Sequence, residues 1–277
     1  MTHTLRFRAS VYEGNLRQPA HAHDQLQISL VLSGRLRETV RGAVSTAGAL
    51  SVVVKDSGIV HDDQFGPERV TIAQLSLSGG TLRDLIDTAG RAPVWFWSHT
   101  TTLARPLLRI VTRAGLGASS FASDDTDIID LLAMITARDS GEPHGAPPRW
   151  LSAAVEELRD TWTAGTRVKD VAARVGVHPV YLARCFRRWY GHGVSDDLRV
   201  LRQRAAVDAI VTGTATFSTI AHDAGYADEP HLNREFRALC GTTPGRFRRA
   251  FGNLDVPPPT SGRAPADELR GYKSGRV

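Results

Sequence analysis

The chain has 277 residues, 42% apolar, 23% charged and 7% aromatic, which excludes disordered, collagen-like and coiled-coil classes and leaves room for two domains. Two cysteines, Cys185 and Cys240, are too few for a disulfide framework; with no apolar run of signal-peptide or membrane-spanning length, the expectation is a cytoplasmic protein without membrane contact. The formal net charge of +5 is unevenly placed: residues 1–149 hold 15 basic and 15 acidic side chains, whereas residues 150–250 hold 15 against 11, so a polyanion would meet the second half.

From about Gln25 to Leu77, short runs such as Leu26–Leu32 and Leu50–Val54 alternate with glycine-containing turns, which predicts a β-sandwich or small barrel. Between Thr81 and Ala137 the apolar spacing lengthens, with Leu82, Leu85 and Ile86, then Leu103, Leu107, Ile110 and Val111, then Ile128, Leu131, Leu132 and Ile135. These spacings predict amphipathic helices, and Trp95-Phe96-Trp97 is read as packing at the start of that helical segment. The polar stretch Ala137–Pro148, rich in Pro and Gly, is a linker, and the tail after Asp255 reads as frayed. The expected fold class is multidomain α+β: a barrel over about 1–80, helices over about 81–137, a linker over 138–149, an all-α domain over 150–251 and a tail over 252–277.

Residues 166–250 contain an internal repeat. The pattern Leu-x-Arg-x-Phe-Arg-x-x-x-Gly occurs at Leu182, Arg184, Phe186, Arg187 and Gly191 and again at Leu232, Arg234, Phe236, Arg237 and Gly241, an offset of 50, while Ala172/Ala221 and Gly176/Gly225 match at 49. Each copy has the logic of a helix-turn-helix. A small Ala permits close crossing, a Gly suits a left-handed turn, and Pro179 suits a first helical turn, where its missing N–H costs nothing. Leu and Phe four residues apart share the buried face, leaving the arginines on others. Ser195–Val211 supplies a connecting helix.

With these motifs, residues 150–250 resemble the DNA-binding domain of the AraC/XylS family of bacterial transcription factors, and Gly241-Thr-Thr-Pro244-Gly-Arg-Phe247-Arg248 resembles that family's closing signature. The resemblance implies that two recognition helices enter successive major-groove segments of double-stranded DNA. The first would present His178, Val180, Tyr181, Ala183 and Arg184, and the second Glu229, His231, Asn233 and Arg234. Arg184 and Arg234 have the fork that reads guanine, Asn233 suits an adenine edge and Glu229 a cytosine amino group. Val180 and Ala183 offer only apolar contact with a thymine methyl, so the second helix is expected to be the more selective. Structural ion pairs are the competing role for the two arginines, and partial burial that for Tyr181 and His231. Arg187, Arg188, Arg237, Arg248 and Arg249 are read as phosphate contacts. Both cysteines are read as small buried hydrophobes.

In the first half, His21-x-His23-x3-Gln27-x6-Gly34 followed by Gly58-x2-His61 resembles the two motifs of the cupin barrel, with Gln27 where that family usually has Glu and no Pro before Gly58. The resemblance implies a cupin-like sensor and dimerisation domain in which His21, His23, Gln27 and His61 would hold a divalent metal, against the reading that they are remnants in an effector pocket. Asp62, Asp63 and Glu68 are read as surface charges. Neither a phosphate-cradling Gly loop nor a Gly-x-Ser-x-Gly elbow occurs, so no enzyme is expected. The reading is a DNA-binding transcriptional regulator controlled by a small-molecule effector, acting as a homodimer and contacting RNA polymerase. Its alternative is a metal-dependent cupin enzyme or metal sensor fused to a DNA-binding domain.

Overall fold

The computed structural model describes residues 4–78, 95–99, 101–118, 126–136, 147–162, 166–190, 192–252 and 254. Its first part is built from strands β1 (Thr4–Tyr12), β2 (Arg17–His21), β3 (Leu26–Ser33), β4 (Leu36–Val40), β5 (Ala43–Ala47), β6 (Val52–Lys55), β7 (His61–Phe65), β8 (Val70–Ser78) and β9 (Trp95–Ser98). They form two antiparallel sheets, ordered β1-β8-β3-β6-β9 and β2-β7-β4-β5, the layering expected of a cupin-like domain. The inner faces follow the period of two: Leu36, Glu38 and Val40 on β4 and His61, Asp63 and Phe65 on β7 are all buried. Strand β3 is buried along its whole length. It sits centrally in its sheet, and helix α1 (Thr101–Gly115) packs on β1, β3 and β8 through a stripe including Leu103, Leu107, Leu108 and Val111. Helix α2 (Thr126–Thr136) packs on α1.

The β region begins at Thr4, within the barrel expected over about 1–80: β1 alternates Leu5, Phe7, Ala9 and Val11 with polar residues, and β2 is an edge strand that tolerates Pro19. One expectation is corrected. Trp95-Phe96-Trp97 lies in a strand, not at the start of a helix; the aromatic run pairs antiparallel with β6, Trp95 opposite Lys55 and Trp97 opposite Val53. The helix expected around Leu82–Ile86, the linker up to residue 146 and the tail after Asp255 lie outside the described residues.

The second part is helical, with α3 (Arg149–Thr161), α4 (Val168–Arg174), α5 (Pro179–Tyr190), α6 (Val194–Thr212), α7 (Phe217–Asp223), α8 (Glu229–Cys240) and α9 (Pro244–Phe251). By packing, one compact unit comprises residues 1–138, 207–214 and 236–277, and another comprises 139–206 and 215–235. Helices α6 and α8 therefore contribute to both units, and the division departs from a single boundary at the linker. Within the first unit the Phe251 ring of α9 lies 2.8 Å from where a Cβ on Gly115 of α1 would stand, and Arg109 donates to the Ala238 carbonyl at 3.1 Å. The second unit has its own core of Leu151, Leu158, Val171, Leu182, Phe186 and Leu198.

The repeat recurs as local geometry. Gly176 and Gly225 have φ of 70° and 74°. In the first copy Val177 N–H donates to the Ala172 carbonyl and Gly176 N–H to that of Ala173. In the second, Tyr226 N–H donates to Ala221 and Gly225 N–H to His222. This is the Schellman ending of a helix, written twice. Ala172 and Ala221 are buried beneath the turns, and Leu182, Phe186, Leu232 and Phe236 are at most 2% exposed.

A Cβ built on Gly176 meets nothing within 4 Å, so the cost of substitution there is backbone strain alone. Gly176→Ala should lower the stability of the helical unit by about 1–2 kcal/mol in urea denaturation, and Gly176→Asn by less, since Asn tolerates the left-handed region. Equal stability of the Ala variant and the parent would contradict this account of the turn.

Candidate nucleic-acid interface and an inner polar cluster

On α5 the buried Leu182 and Phe186 leave the opposite face to solvent. Val180, Tyr181, Arg184, Arg187 and Arg188 recur there at helical spacing, with Ala183 at its margin, and all are exposed. Val180 is 60% and Tyr181 51% exposed, so Tyr181 is open to solvent although its ring stacks on Trp150 with centroids 5.4 Å apart. His178, exposed just before the helix, accepts the Val180 N–H on Nδ1 at 3.3 Å and so braces the first turn. Among the described residues Arg184 forms no ion pair.

Helix α8 presents a more mixed face. Arg234 and Arg237 are exposed, and Arg234 likewise has no ion pair among the described residues. Asp228 caps the helix by accepting the His231 N–H at 2.6 Å. His231 is half-buried, accepts the Ala227 N–H, and meets the buried Tyr226 edge-on with centroids 5.3 Å apart. Asn233, also half-buried, donates from Nδ2 to the Glu229 carbonyl at 3.1 Å. Both side chains are thus partly committed to the motif itself, and Glu229 is half-buried. On α9, Arg249 is exposed, whereas Arg248 is half-buried and donates to the Ile210 carbonyl at 3.3 Å, an anchoring contact. Cys240 is buried, its thiol pushed up to about 12 by burial, while Cys185 is only half-buried, which corrects the expectation for that residue.

The sheets enclose a second concentration of chemistry. The Glu38 carboxylate on β4 is fully buried and accepts from Lys55 Nζ at 2.6 Å, Trp95 Nε1 at 2.9 Å and Trp97 Nε1 at 3.0 Å. His61 adjoins it and clusters with the imidazoles of His21 and His23, with ring centroids 4.3–5.2 Å apart and potential ligand atoms of the three all within 4.8 Å of one another. Glu38, His61 and Asp63 form an overlapping group within the same limit. His61 and Asp63 lie 3.8 Å apart at Nε2 and Oδ2. Burial holds His23 down at about 3 and His61 at about 4, with Lys55 adding to both shifts, so these imidazoles are neutral. Burial also pushes the Asp63 carboxyl up to about 6.

The sequence-predicted His21, His23 and His61 are therefore brought together, and Gln27 lies buried on β3 opposite Lys55 and Ser76. Asp63 is not a surface charge: only 6% of it is exposed. The signal was available, because the period of two from His61 to Phe65 places Asp63 inward. The same argument from Leu36 and Val40 finds Glu38. Glu68, paired with Arg35 at 2.9 Å, is a surface charge as expected.

Two family models match the chain: an AraC-like ligand binding domain over residues 7–132 and a helix-turn-helix domain over residues 171–250. Among curated relatives, the HTH-type transcriptional regulator GlxA of Rhizobium meliloti (strain 1021) is 32% identical over 83 residues, covering 30% of this chain and 26% of the relative. A putative AraC-like transcription regulator of Streptomyces lividans is 28% identical over 144 residues, covering 48% and 46%. The chain thus spans less than half the length of either relative. Among solved structures, ToxT from Vibrio cholerae O395 aligns with 91% of this chain and 99% of its own at 10% identity and a TM-score of 0.39. The C-terminal domain of AraT, a response regulator from Geobacillus stearothermophilus, aligns with 43% and 98% at 18% identity and a TM-score of 0.38.

Removing the Glu38 charge while keeping its shape leaves the buried Lys55 ammonium without its ion-pair partner. Glu38→Gln should destabilise the sheet unit by about 3–5 kcal/mol in denaturant melts, and adding Lys55→Met should recover much of that loss. A single variant as stable as the parent would show that the pair does not hold the sheets.

Proposed function

The chain belongs to the AraC/XylS family, and on that premise we propose that it is a sequence-specific DNA-binding transcriptional regulator whose amino-terminal domain answers to a small-molecule effector. The observation that carries this reading is the repeated motif, in which each copy turns on a left-handed glycine, buries a Leu/Phe pair and leaves an arginine face exposed. Arg184 and Arg234 take the base-reading role, because guanidinium forks free of internal ion pairs match guanine O6 and N7. Val180, Tyr181 and Ala183 line the same face of the first helix, and His178 sets its entry. Arg187, Arg188, Arg237 and Arg249 contact phosphates and set register.

The effector reading rests on the match of residues 7–132 to a ligand-binding domain and on the buried polar cluster between the sheets. An effector can act only by binding two arrangements of the protein unequally. Helices α1 and α2 provide the homodimer surface, RNA polymerase is the partner at the promoter, and the compartment is the cytoplasm. No described helix is long and apolar enough to cross a membrane. The proposal assigns no catalytic activity.

If the four arginines assigned to phosphates each neutralise one, log affinity should fall against log salt with a slope of about −4. Arg234→Ala should relax base preference at one position at a cost of about 1–3 kcal/mol, whereas Arg249→Ala should weaken all sequences alike and flatten the slope by about one. Binding titrations over a salt series and a panel of single-base variants measure both. A slope near zero, or equal loss on all base variants for Arg234→Ala, would contradict the assignment.

A further inference from the structure

A recess of about 560 Å3 lies within the first compact unit, lined by the end of α1, the start of α2 and the turn between α8 and α9. Its size falls in the range of about 300–1,000 Å3 that small-molecule sites occupy. Arg109, Thr112 and Arg113 stand three and four residues apart on α1 and so share one face, and Asp127 comes from the first turn of α2. Helix α8 ends at Gly241, whose φ of 75° turns the chain towards Thr243. The Thr243 hydroxyl caps α9 by accepting the Arg246 N–H at 3.3 Å, and this sets Arg246, exposed, at the rim of the recess.

The protein does not use up these donors. Asp127 lies 3.2 Å from Arg113 and 3.7 Å from Arg109 Nη1, and Arg109 Nη2 donates to the Ala238 carbonyl at 3.1 Å. Arg109 Nε is nevertheless buried with no hydrogen-bond partner among the described residues. So is the hydroxyl of Thr112, a residue only 1% exposed. Buried donors without acceptors are costly, and here two of them line one recess. Arg246 forms no ion pair among the described residues. Three guanidinium groups against the Asp127 carboxylate leave the lining with a formal charge of +2.

We propose that this recess binds the phosphate group of a small phosphate monoester, at a place separate from any ligand held between the sheets. Guanidinium forks match phosphate oxygens bidentately, and Thr112 Oγ1 and Arg109 Nε supply further donors at depth. A phosphate monoester carries about −1.5 to −2 charges near neutral pH, which balances the lining, whereas a carboxylate brings one charge and two oxygens. Leu116 and Ala118 give the ester's organic group an apolar side to rest on. A phosphodiester of duplex DNA brings a single charge and cannot follow Thr112 into the floor.

The test uses the full chain, freed of phosphate by dialysis and titrated calorimetrically with phenyl phosphate in the absence of DNA. The expected result is one phenyl phosphate per chain, displaced by inorganic phosphate, with benzoate binding at least about tenfold more weakly. Arg109→Gln and Arg246→Gln should each weaken binding at least about tenfold and the isosteric Thr112→Val about threefold, while Arg105→Gln, on an exposed side chain of the same helix, should stay within about twofold. Asp127→Asn should tighten binding, because the internal competitor for the guanidinium groups is gone; a purely structural role for Asp127 predicts no gain. Arg246 is exposed, so its variant decides the matter if Arg109→Gln unfolds. Absence of stoichiometric binding, failure of inorganic phosphate to compete, or equal affinity for benzoate overturns the proposal. A loss in Arg105→Gln as large as that in Arg246→Gln also overturns it, since the attraction is then a diffuse surface effect. Displacement of phenyl phosphate by a short random-sequence duplex assigns the recess to the DNA backbone and overturns the small-ligand site. DNA affinity itself is measured separately, so the regulator reading stands or falls apart from this one.

Discussion

The Glu38 carboxylate is the joint on which the amino-terminal domain is assembled. It leaves one sheet on β4 and receives three donors from the other, Lys55 on β6 and the two indoles of β9. Burying an ion pair costs several kcal/mol per charge, and a single partner rarely offsets that. Here the carboxylate keeps three charge-assisted hydrogen bonds, so its desolvation is compensated and the geometry is unique. The pair also fixes what surrounds it. With β9 held beside β6 and β4 beside β7, the inward faces of β4 and β7 adjoin, and His61 stands both with His21 and His23 and with Glu38 and Asp63.

The helical part depends on a different economy, one backbone solution used twice. A short helix ends in a Schellman turn at Gly176 or Gly225, and the next helix buries its Leu and Phe and turns its arginines outward. The copies are not equivalent. On α5 the outward face is almost free of internal hydrogen bonds, whereas on α8 His231 and Asn233 are braced against the motif. Arg234, by contrast, is exposed on α8 and forms no ion pair among the described residues. Because α9 packs on α1 within one compact unit, the last helix of the repeat region shares a core with the helices beside the sheets.

Much of this was legible because the relevant patterns are local. Left-handed glycines, helical spacing of Leu and Phe, and a repeat at near-constant offset are encoded within a few residues, and the structure has them where the sequence places them. The strand Trp95–Ser98 was hidden by its position between helical patterns, and only pairing with a distant β6 reveals it. Asp63 was misread because acidic residues are usually exposed, although its parity with His61 and Phe65 pointed inward. The Glu38 network joins residues 17 and 57–59 positions apart, and no single-strand pattern announces such a joint.

The account turns on both helices of the repeat reading DNA together, and hydroxyl-radical footprinting of the full chain on a DNA site selected from random sequence tests it most directly. The prediction is two protected segments about one helical turn, roughly 10 bp, apart on one face of the duplex, with Arg184→Ala thinning one and Arg234→Ala the other. A single protected segment, or protection that both variants reduce uniformly, would contradict it.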